Sequence, residues 1–446
     1  MSKMNESTIN IRKDNDSIRK HVLTYARKVY IVISYRSKTI PKRRRYRIMK
    51  MKKFASAVLA TLMTASLALS FTGCSSSKKP EGTIGIGGIG PTTGDAAIYG
   101  VAVKNGAEIA VEEINALGGL QFSLNFQDDV HDAEKSVNAY NTLKDWGMQV
   151  LLGSVTTTPC IAVASEANAD HIFELTPSAS STDVLGGFPD ASGSVTIARR
   201  DNVFQMCFTD PNQGTAAAEY INEQHLGDKI AVIYNSSDVY SKGIYEKFIA
   251  KAEELGMNVV SVTSFTNDTA TDFTVQIGDA KSNDADLIFL PIYYTPASLI
   301  FKQADSIGYA PKYFGVDGMD GILTLKGFDT SLAEGVMLLT PFVADAADAK
   351  TQSFVAKYKE KFGETPTQFA ADGYDCVYAI YEACQKSGVT ADMDAQTICD
   401  KLIAEFTDPS FTIDGLTGDG MTWSATGEVS KAPKGMVIKD GVYVGM

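Results

Sequence analysis

Two hydroxyl-rich stretches of the sequence have the residue types and the spacing to bind a small anion. The first runs from Gly153 to Pro159 and contains Thr156 and Thr157, and the second runs from Leu175 to Thr182. Each follows an apolar run typical of a buried strand, and the first opens a helix-like segment. Because the first N–H groups of a helix lack internal partners and carry partial positive charge, such a turn can hold a carboxylate. Simple helix capping and turn formation by Ser and Thr is the alternative interpretation.

Aromatic and acidic residues follow other predicted strands. Tyr240 and Tyr293 each lie just after an apolar run, and Asp317 precedes Gly318 after another. Ligands of open parallel sheets lie beyond the carboxyl ends of the strands. Together with Tyr99, these side chains could line a cleft that suits a zwitterion with an apolar tail. Taken singly, each Tyr could be a packing residue and Asp317 a turn residue.

The sequence contains the residue pattern of a dinucleotide-binding motif, but the surrounding residues do not fit that motif. The run from Gly85 to Gly90 fits GxGxxG after a strand, but Pro91 and its neighbours intervene before a helix can begin. The acidic pair Asp128 and Asp129 also lies much more than about 20 residues past Gly90. We therefore interpret this segment as a tight ligand loop and expect no cofactor.

No catalytic constellation is recognisable. The four histidines, at positions 21, 131, 171 and 225, are far apart, and no nucleophile is spaced to form a triad with them. We therefore expect a protein that is not an enzyme. An enzyme would have to use an unfamiliar pair of acids, such as Asp317 and Asp320.

The N-terminal region has the composition of an export signal. Residues 1–50 contain fifteen Lys/Arg and three Asp/Glu, and residues 54–69 form an apolar run that ends near small residues. We expect residues 1–48 to be an extension that is not part of the true protein, 49–73 to be a signal peptide and 74–81 to be a tether. The run from Phe71 to Cys74 resembles a bacterial lipobox, which implies that Cys74 carries the lipid. A secreted protein without lipid is the alternative.

The 373 residues after the signal are strongly acidic. They contain 24 Lys/Arg and 50 Asp/Glu, a formal charge of −26, which argues against nucleic-acid binding. Five cysteines besides Cys74 are scattered, with neither CxxC spacing nor clustered histidines. We therefore expect buried thiols, or at most one disulfide, and no metal site.

From residue 82 onward, predicted strands alternate with predicted helices, a pattern typical of parallel sheets covered by helices. The series restarts after residue 208 and ends in three helices without strands, so the sequence predicts an α/β fold with two Rossmann-like lobes. We predict an N-terminal lobe of residues 82–207 and 341–414 and a C-terminal lobe of 208–340 and 415–446. The chain would then cross between the lobes three times, near Phe208, Thr340 and Asp414.

From Thr83 to about Val444, the sequence resembles the substrate-binding proteins of ABC importers for branched-chain amino acids, which have the type I periplasmic-binding-protein fold. Eight segments in the same order carry the resemblance: Tyr99-Gly100, Glu112 to Asn115 with Gly118-Gly119, Gly153 to Thr158, Thr176 to Ser180, Phe208 to Gly214, Tyr240 to Gly243, Asp286 to Ala304 and Gly315 to Asp320.

The resemblance assigns roles to individual residues. It implies that Thr157 and Ser180 hold the α-carboxylate of an amino acid, and that the Ser178 carbonyl and the Asp317 carboxylate take its ammonium. Further contacts are implied for Tyr99, Val155, Tyr240, Tyr293 and Phe369, and the hydroxyl-rich turn adds Thr156. Two departures concern the ammonium end: the family often has Glu where this chain has Asp317, and Val239 is an extra residue before Tyr240.

The function implied is that of an extracytoplasmic lipoprotein that closes on its ligand and delivers it to an ABC permease and its ATPase. Leu, Ile and Val are the favoured ligands, and a monomer held at the membrane by the lipid on Cys74 is expected. The alternatives are a binding protein for a small amide, a carboxylate or an aromatic amino acid, and a ligand-sensing ectodomain.

Overall fold

Two β-sheets organise residues 78–189 and 193–446, which are the residues that the computed structural model describes. The predicted N-terminal extension, signal peptide and Cys74 lie outside these residues. The strands are β1 (Ile84–Gly90), β2 (Phe122–Asp128), β3 (Val150–Leu152), β4 (Glu174–Thr176), β5 (Val203–Gln205), β6 (Ile230–Asn235), β7 (Val259–Phe265), β8 (Leu287–Leu290), β9 (Lys312–Gly315), β10 (Met337–Thr340), β11 (Lys434–Lys439) and β12 (Val442–Gly445).

The α-helices cover these sheets. They are α1 (Ala97–Leu117), α2 (Ala133–Trp146), α3 (Thr157–Asp170), α4 (Thr182–Leu185), α5 (Asp210–Glu223), α6 (Val239–Glu254), α7 (Thr274–Ser282), α8 (Tyr294–Ser306), α9 (Ala349–Phe362), α10 (Gln368–Ser387) and α11 (Ala395–Phe406). None of the helices in the described ranges is both long enough and apolar enough to cross a membrane.

The first sheet is wholly parallel, with the strand order β2-β1-β3-β4-β5. The second has the order β12-β11-β10-β9-β8-β6-β7, and only β11 and β12 run antiparallel to their neighbours. The predicted α/β fold with two parallel-sheet lobes is confirmed. Parallel strands are buried on both faces, which is why β3 and β8 consist of consecutive apolar residues that are all buried.

Local sequence signals explain where several helices begin and end. Asp132 caps α2 by accepting a hydrogen bond from the Lys135 N–H, and Gly147 ends the same helix in the left-handed conformation. Asp238 caps α6 in the same way, through the Ser241 N–H. These caps fix the first turns of helices that begin at the carboxyl ends of strands, where the predicted site lies.

A close approach of α1 and α10 places the last helices against the first sheet, as the sequence predicts. Gly106 lies where the two helices touch, and a Cβ atom added there would be only 1.8 Å from the Ala370 carbonyl oxygen. The absence of a side chain at Gly106 therefore sets the distance between the two helices. Because Tyr99 is on α1 and Phe369 is on α10, this contact also positions two of the predicted site residues.

The C-terminal segment beyond the predicted crossing at Asp414 contacts α10 and β5. The N–H groups of Leu416 and Thr417 donate to the Asp375 carboxylate on α10, and the Trp423 Nε1–H donates to the Gln205 carbonyl on β5 at 2.8 Å. The chain joins the second sheet at β11, and the positions of the three crossings and of the lobe boundaries remain predictions.

We expect Gly106→Ala to lower the stability of the protein, because its methyl group must push α1 and α10 apart. The gain in helix propensity, about 1 kcal/mol, is smaller than the overpacking cost of about 1–3 kcal/mol at a contact made by backbone atoms. Urea unfolding followed by circular dichroism would measure the difference.

Gly278→Ala is the matched control. Gly278 is also inside a helix, α7, but a Cβ atom there would meet no atom within 4 Å. This variant should be more stable than the wild type by up to about 1 kcal/mol. Equal stability changes in the two variants would contradict the role given to the α1–α10 contact.

Candidate ligand-binding site

A small cavity of about 230 Å³ lies beyond the carboxyl ends of strands from both sheets. Eight of the ten predicted ligand-binding residues line it, together with Gly318: Tyr99, Val155, Thr156, Ser178, Tyr240, Tyr293, Asp317 and Phe369. The other two, Thr157 and Ser180, are buried close by but do not line it. The structure thus brings the predicted residues together, and their contact with a ligand remains a prediction.

The hydroxyl-rich turns form one side of the cavity, after β3 and β4. The Thr176 Oγ1–H donates to the Ser154 carbonyl at 2.7 Å, and the Ser178 Oγ–H donates to the Val155 carbonyl at 2.6 Å. These two bonds tie the turns together, so the Ser178 hydroxyl is already used within the protein. The Ser178 hydroxyl proton is therefore not available to a ligand, and the role of the Ser178 carbonyl remains a prediction.

Helix α3 begins at this side with free donors. Its N-cap residue, Thr156, is extended and makes no side-chain cap bond. The Thr156 Oγ1 instead lies 2.8 Å from Nδ1 of His131. Because no hydroxyl caps this helix, the N–H groups of Thr157 and Thr158 are left for an anion, whereas Pro159 has no N–H and the Cys160 N–H bonds the Thr156 carbonyl. Capping, the alternative interpretation of these residues, applies to Ser181 on α4, which accepts a bond from the Asp183 N–H.

Asp317 and Tyr240 form the opposite side. Asp317 begins a short 3₁₀ turn after β9, and Tyr240 is the second residue of α6. The Tyr240 hydroxyl donates to Asp317 Oδ1 at 2.6 Å and accepts from the Gly318 N–H at 2.9 Å. A Cβ atom added to Gly318 would lie 2.5 Å from this hydroxyl, so glycine allows the approach. Tyr240 therefore reaches Asp317 despite the extra Val239.

Burial dominates the electrostatics of this side. It raises the pKa of Asp317 to about 6, although the hydrogen bonds from Tyr240, Gln213 and the Gly318 backbone act in the opposite direction. The pKa of the Tyr240 hydroxyl is also raised, first by burial and then by the negative charge of Asp317. The carboxylate thus lacks solvation, and a cation beside it would restore the charged form.

Aromatic rings close the cavity between these two sides. The Tyr99 ring lies 4.5 Å from Phe369 and 5.3 Å from Tyr293, and Tyr293 stacks on Tyr240 at 4.9 Å. The Tyr99 hydroxyl donates to the Gly318 carbonyl at 2.5 Å and accepts from the Tyr294 N–H at 3.3 Å. Tyr99 on α1 is thereby linked directly to the turn that carries Asp317.

The sequence reasoning missed two residues near the cavity. His131 holds Thr156, and its ring packs edge-on against Tyr293 with the centroids 5.6 Å apart. Burial lowers the pKa of His131. His131 lies just after β2, the strand that pairs with β1, and this position at a strand end could have indicated a site residue. Gln213 lies in the segment from Phe208 to Gly214, for which the sequence predicted no ligand contact. Its Oε1 accepts a hydrogen bond from the Asp317 N–H at 3.2 Å.

No group of three or more His, Cys, Asp or Glu in the described ranges is arranged to hold a metal ion. All five described cysteines are buried and free. Burial raises the pKa of the Cys160 thiol well above its ordinary value, and that of Cys207 likewise. What the site offers is therefore hydrogen bonds, a buried carboxylate and aromatic surface.

Comparison with known proteins places this arrangement among solute-binding proteins. The Leu/Ile/Val-binding protein homolog 3 of Brucella melitensis is 27% identical over 373 residues, which are 81% of this chain and 93% of that protein. A branched-chain amino acid transporter substrate-binding protein from Streptococcus pneumoniae, solved in complex with isoleucine, is 25% identical with a TM-score of 0.70 and covers 81% and 97% of the two chains.

A solute-binding protein of an ABC transporter from R. palustris, solved in complex with benzoate, has the same fold with a TM-score of 0.70 at 19% identity. That likeness covers 82% of this chain and 96% of the other. Residues 83–439 match the sequence model of the periplasmic binding protein family. This match spans most of the sequence, and the chain therefore belongs to the periplasmic binding protein family.

Proposed function

We propose that this protein binds a branched-chain or related apolar amino acid outside the cytoplasm and delivers it to the permease of an ABC importer. The observation that carries the proposal is the buried Asp317 carboxylate, which faces a cavity whose other walls are an uncapped helix N-terminus and aromatic rings. These three features correspond to the ammonium, the carboxylate and the apolar side chain of such a ligand.

The ligand's carboxylate would lie at the start of α3. Thr156 lines the cavity there, and the first N–H groups of the helix supply hydrogen bonds and partial positive charge. Thr157 is the first residue of α3 and does not line the cavity, so it would contribute through its backbone N–H and not through its hydroxyl. Ser180 lies behind this wall, which favours an indirect role.

The ligand's ammonium would lie between Asp317 and the Ser178 carbonyl. A charge-assisted hydrogen bond contributes roughly 1.5–3 kcal/mol, and a few of them reach the scale of micromolar affinity. The side chain would pack on Tyr99, Tyr293 and Phe369. Because apolar burial separates neighbouring aliphatic ligands by only about 0.8 kcal/mol per methylene, we expect related amino acids to share the site.

Binding would require the two sides of the cavity to separate and close again. The wall residues Tyr99, Asp317 and Phe369 are each at most 3% exposed, so an amino acid has no open path to the cavity. The Tyr99 bond to the Gly318 carbonyl and the Tyr240 bond to Asp317 would be made or remade on closure. The closed form would then be the one that the permease recognises, with the ligand released unchanged.

A small carboxylate without an ammonium group is the second candidate, and the benzoate complex of the R. palustris protein favours it. Such a ligand would use the helix N-terminus but would leave Asp317 facing an anion without a balancing cation, which is unfavourable. A small amide, an aromatic amino acid and a role as a ligand-sensing ectodomain are the remaining alternatives. Amino acids with both charges are the better match to both ends of the site.

Asp317→Ala should weaken the binding of leucine at least tenfold, because it removes the charge that balances the ligand's ammonium. Isothermal titration calorimetry of residues 75–446, after ligand removal by unfolding and refolding, would measure the effect. Asp320→Asn is the control, since Asp320 is buried nearby but bonds the Gln368 N–H at 2.8 Å and does not line the cavity. Wild-type binding of benzoate with no binding of any amino acid would refute the proposal.

Leucine affinity should also depend on pH through Asp317. The ammonium favours the ionised carboxylate, so affinity should be steady near pH 7 and should fall as the pH drops below the raised pKa of about 6, by at most about tenfold per unit. Leucine keeps both charges over this range. Asp317→Asn should bind weakly with a flatter profile, and an unchanged slope in that variant would assign the titration to another group.

The attachment to the membrane is proposed from the sequence alone. If Cys74 carries a lipid, Cys74→Ser should move the protein from the membrane fraction to the soluble fraction, as measured by immunoblotting of fractionated cells. Cys207→Ser should leave it in the membrane fraction, because that thiol is buried in the fold. A membrane-bound Cys74→Ser variant would contradict the anchor.

A further inference from the structure

Val130 and His131, which follow β2, both have a left-handed backbone. Their φ angles are 53° and 58°, in a region that a β-branched residue such as Val rarely adopts. Strained backbone of this kind persists only where the surrounding structure holds it, and it concentrates at functional sites. This backbone directs the side chain of His131, so the contacts of that side chain show what the strain supports.

A buried carboxylate holds this loop against the hydroxyl-rich side of the cavity. The His131 N–H donates to Asp129 Oδ1 at 2.9 Å, and the Ser154 Oγ–H donates to Asp129 Oδ2 at 2.5 Å. Asp129 is fully buried. Because Ser154 lies two residues before Thr156 in the turn between β3 and α3, one carboxylate fixes His131 relative to that turn.

The His131 side chain contacts two residues of the cavity wall, one from each sheet. Its Nδ1 lies 2.8 Å from the Oγ1 of Thr156, which follows β3. Its ring packs edge-on against Tyr293, which follows β8, with the ring planes at 84°. Thr156 and Tyr293 line the cavity, whereas His131 does not. Any effect of His131 on a ligand therefore passes through one of these two neighbours.

The hydrogen bond between His131 and Thr156 has two possible directions. Burial lowers the pKa of His131, so its ring is neutral near pH 7 and one of its two nitrogens carries the proton. If Thr156 donates to Nδ1, its oxygen presents only lone pairs to the cavity. If Nδ1–H donates to Thr156, the hydroxyl proton of Thr156 is free to point at an acceptor in the cavity.

We propose that His131 donates its Nδ1–H to Thr156 and thereby makes the Thr156 hydroxyl a hydrogen-bond donor to the ligand's carboxylate. This inference rests on the proposed function and adds a positioning residue to its site. The Thr156 hydroxyl then joins the N–H groups of Thr157 and Thr158 at the start of α3. These donors match the lone pairs of a carboxylate, whereas the opposite direction would set lone pairs of Thr156 against it.

The first test is a double-mutant cycle, with leucine affinity measured by isothermal titration calorimetry. His131→Gly removes the ring and tolerates the left-handed backbone, and it should weaken leucine binding by about three- to tenfold. Thr156→Val removes the hydroxyl on which His131 acts. In the Thr156→Val background, His131→Gly should therefore change leucine affinity by less than about twofold.

His131→Asn is the rescue variant. Asparagine also adopts the left-handed conformation, and its side-chain amide supplies an N–H donor close to the position of Nδ1 but has no ring. It should keep leucine affinity within about twofold of the wild type. His171→Asn is the control, because His171 is left-handed as well but ends α3 and bonds Asp400 at 2.7 Å. It should leave leucine affinity unchanged.

The second test determines by NMR which nitrogen of His131 carries the proton. Residues 75–446 contain three histidines, His131, His171 and His225, so selective ¹⁵N labelling of histidine gives few signals. The His131→Asn variant identifies those of His131 by their absence. In the leucine complex near pH 7 we expect a protonated Nδ1 and an unprotonated Nε2, which a mere packing role would not require.

The outcomes separate the two proposals. If the wild type binds leucine and the losses in His131→Gly and Thr156→Val simply add, His131 acts through Tyr293 and the inference fails while the proposed function stands. If His131→Gly does not fold, a proton on Nε2 in the leucine complex would overturn the inference without that variant.

A wild type that binds benzoate but no amino acid would refute the proposed function and leave the carboxylate end of the site to be tested. The same cycle with benzoate would then support the inference if His131→Gly acts only in the presence of Thr156, and overturn it if the losses add. If neither class of ligand binds, both proposals fail.

Discussion

The cost of burying the Asp317 carboxylate is the constraint on which the site depends. The turn that carries it is held from three directions: Tyr240 bonds its side chain, Gln213 its N–H and the Gln368 Nε2–H its carbonyl at 3.1 Å. Gln368 begins α10, so the helix that brings Phe369 into the cavity is docked on the same turn. The contact of α10 with α1 then fixes Tyr99. One buried charge is thus connected to every wall of the cavity except the hydroxyl-rich one.

Two other buried acids of the described chain have a cation beside them, which Asp317 lacks. Asp372 pairs with Lys431, and the positive charge of Arg200 acts on Glu174, whose pKa burial nevertheless raises to about 8. Asp317 has no such partner among the described residues, and hydrogen bonds from Tyr240, Gln213 and the Gly318 backbone offset only part of the effect of its burial.

Much of the fold could be predicted from the sequence because parallel strands buried on both faces are continuous apolar runs. The sequence pattern predicts strands from Val259 to Phe265 and from Leu287 to Leu290, which are the bounds of β7 and β8. The strand β10 escaped prediction because it has only three apolar residues, Met337 to Leu339, and a run this short before Thr340 and Pro341 is equally compatible with a loop. The contacts of Asp375 with Leu416 and of Trp423 with Gln205 escaped as well, since they join residues that lie far apart in sequence.

The location of the site was predictable because most of its residues lie just after the ends of strands. The directions of side chains within a turn were not predictable, as Thr156 and Thr157 illustrate. Both carry hydroxyls, but helix α3 begins at Thr157, so the extended residue before it turns toward the cavity and toward His131. Nothing in the local sequence says which of two adjacent threonines is the cap. Ser180 was likewise assigned to the ligand; it is buried and does not line the cavity, and its contact with a ligand remains a prediction.

The two departures from the pattern of the resembling family can be understood as one change. The extra Val239 is the first residue of α6, which places Tyr240 in the first turn with its hydroxyl 2.6 Å from Asp317 Oδ1. A glutamate at position 317 would carry its carboxylate one methylene further, into the space that this hydroxyl occupies. The shorter acid thus leaves room for the Tyr240 hydroxyl between the Asp317 carboxylate and the Gly318 N–H. Because the same hydroxyl also accepts the Gly318 N–H, the pair is held in place before any ligand contributes to it.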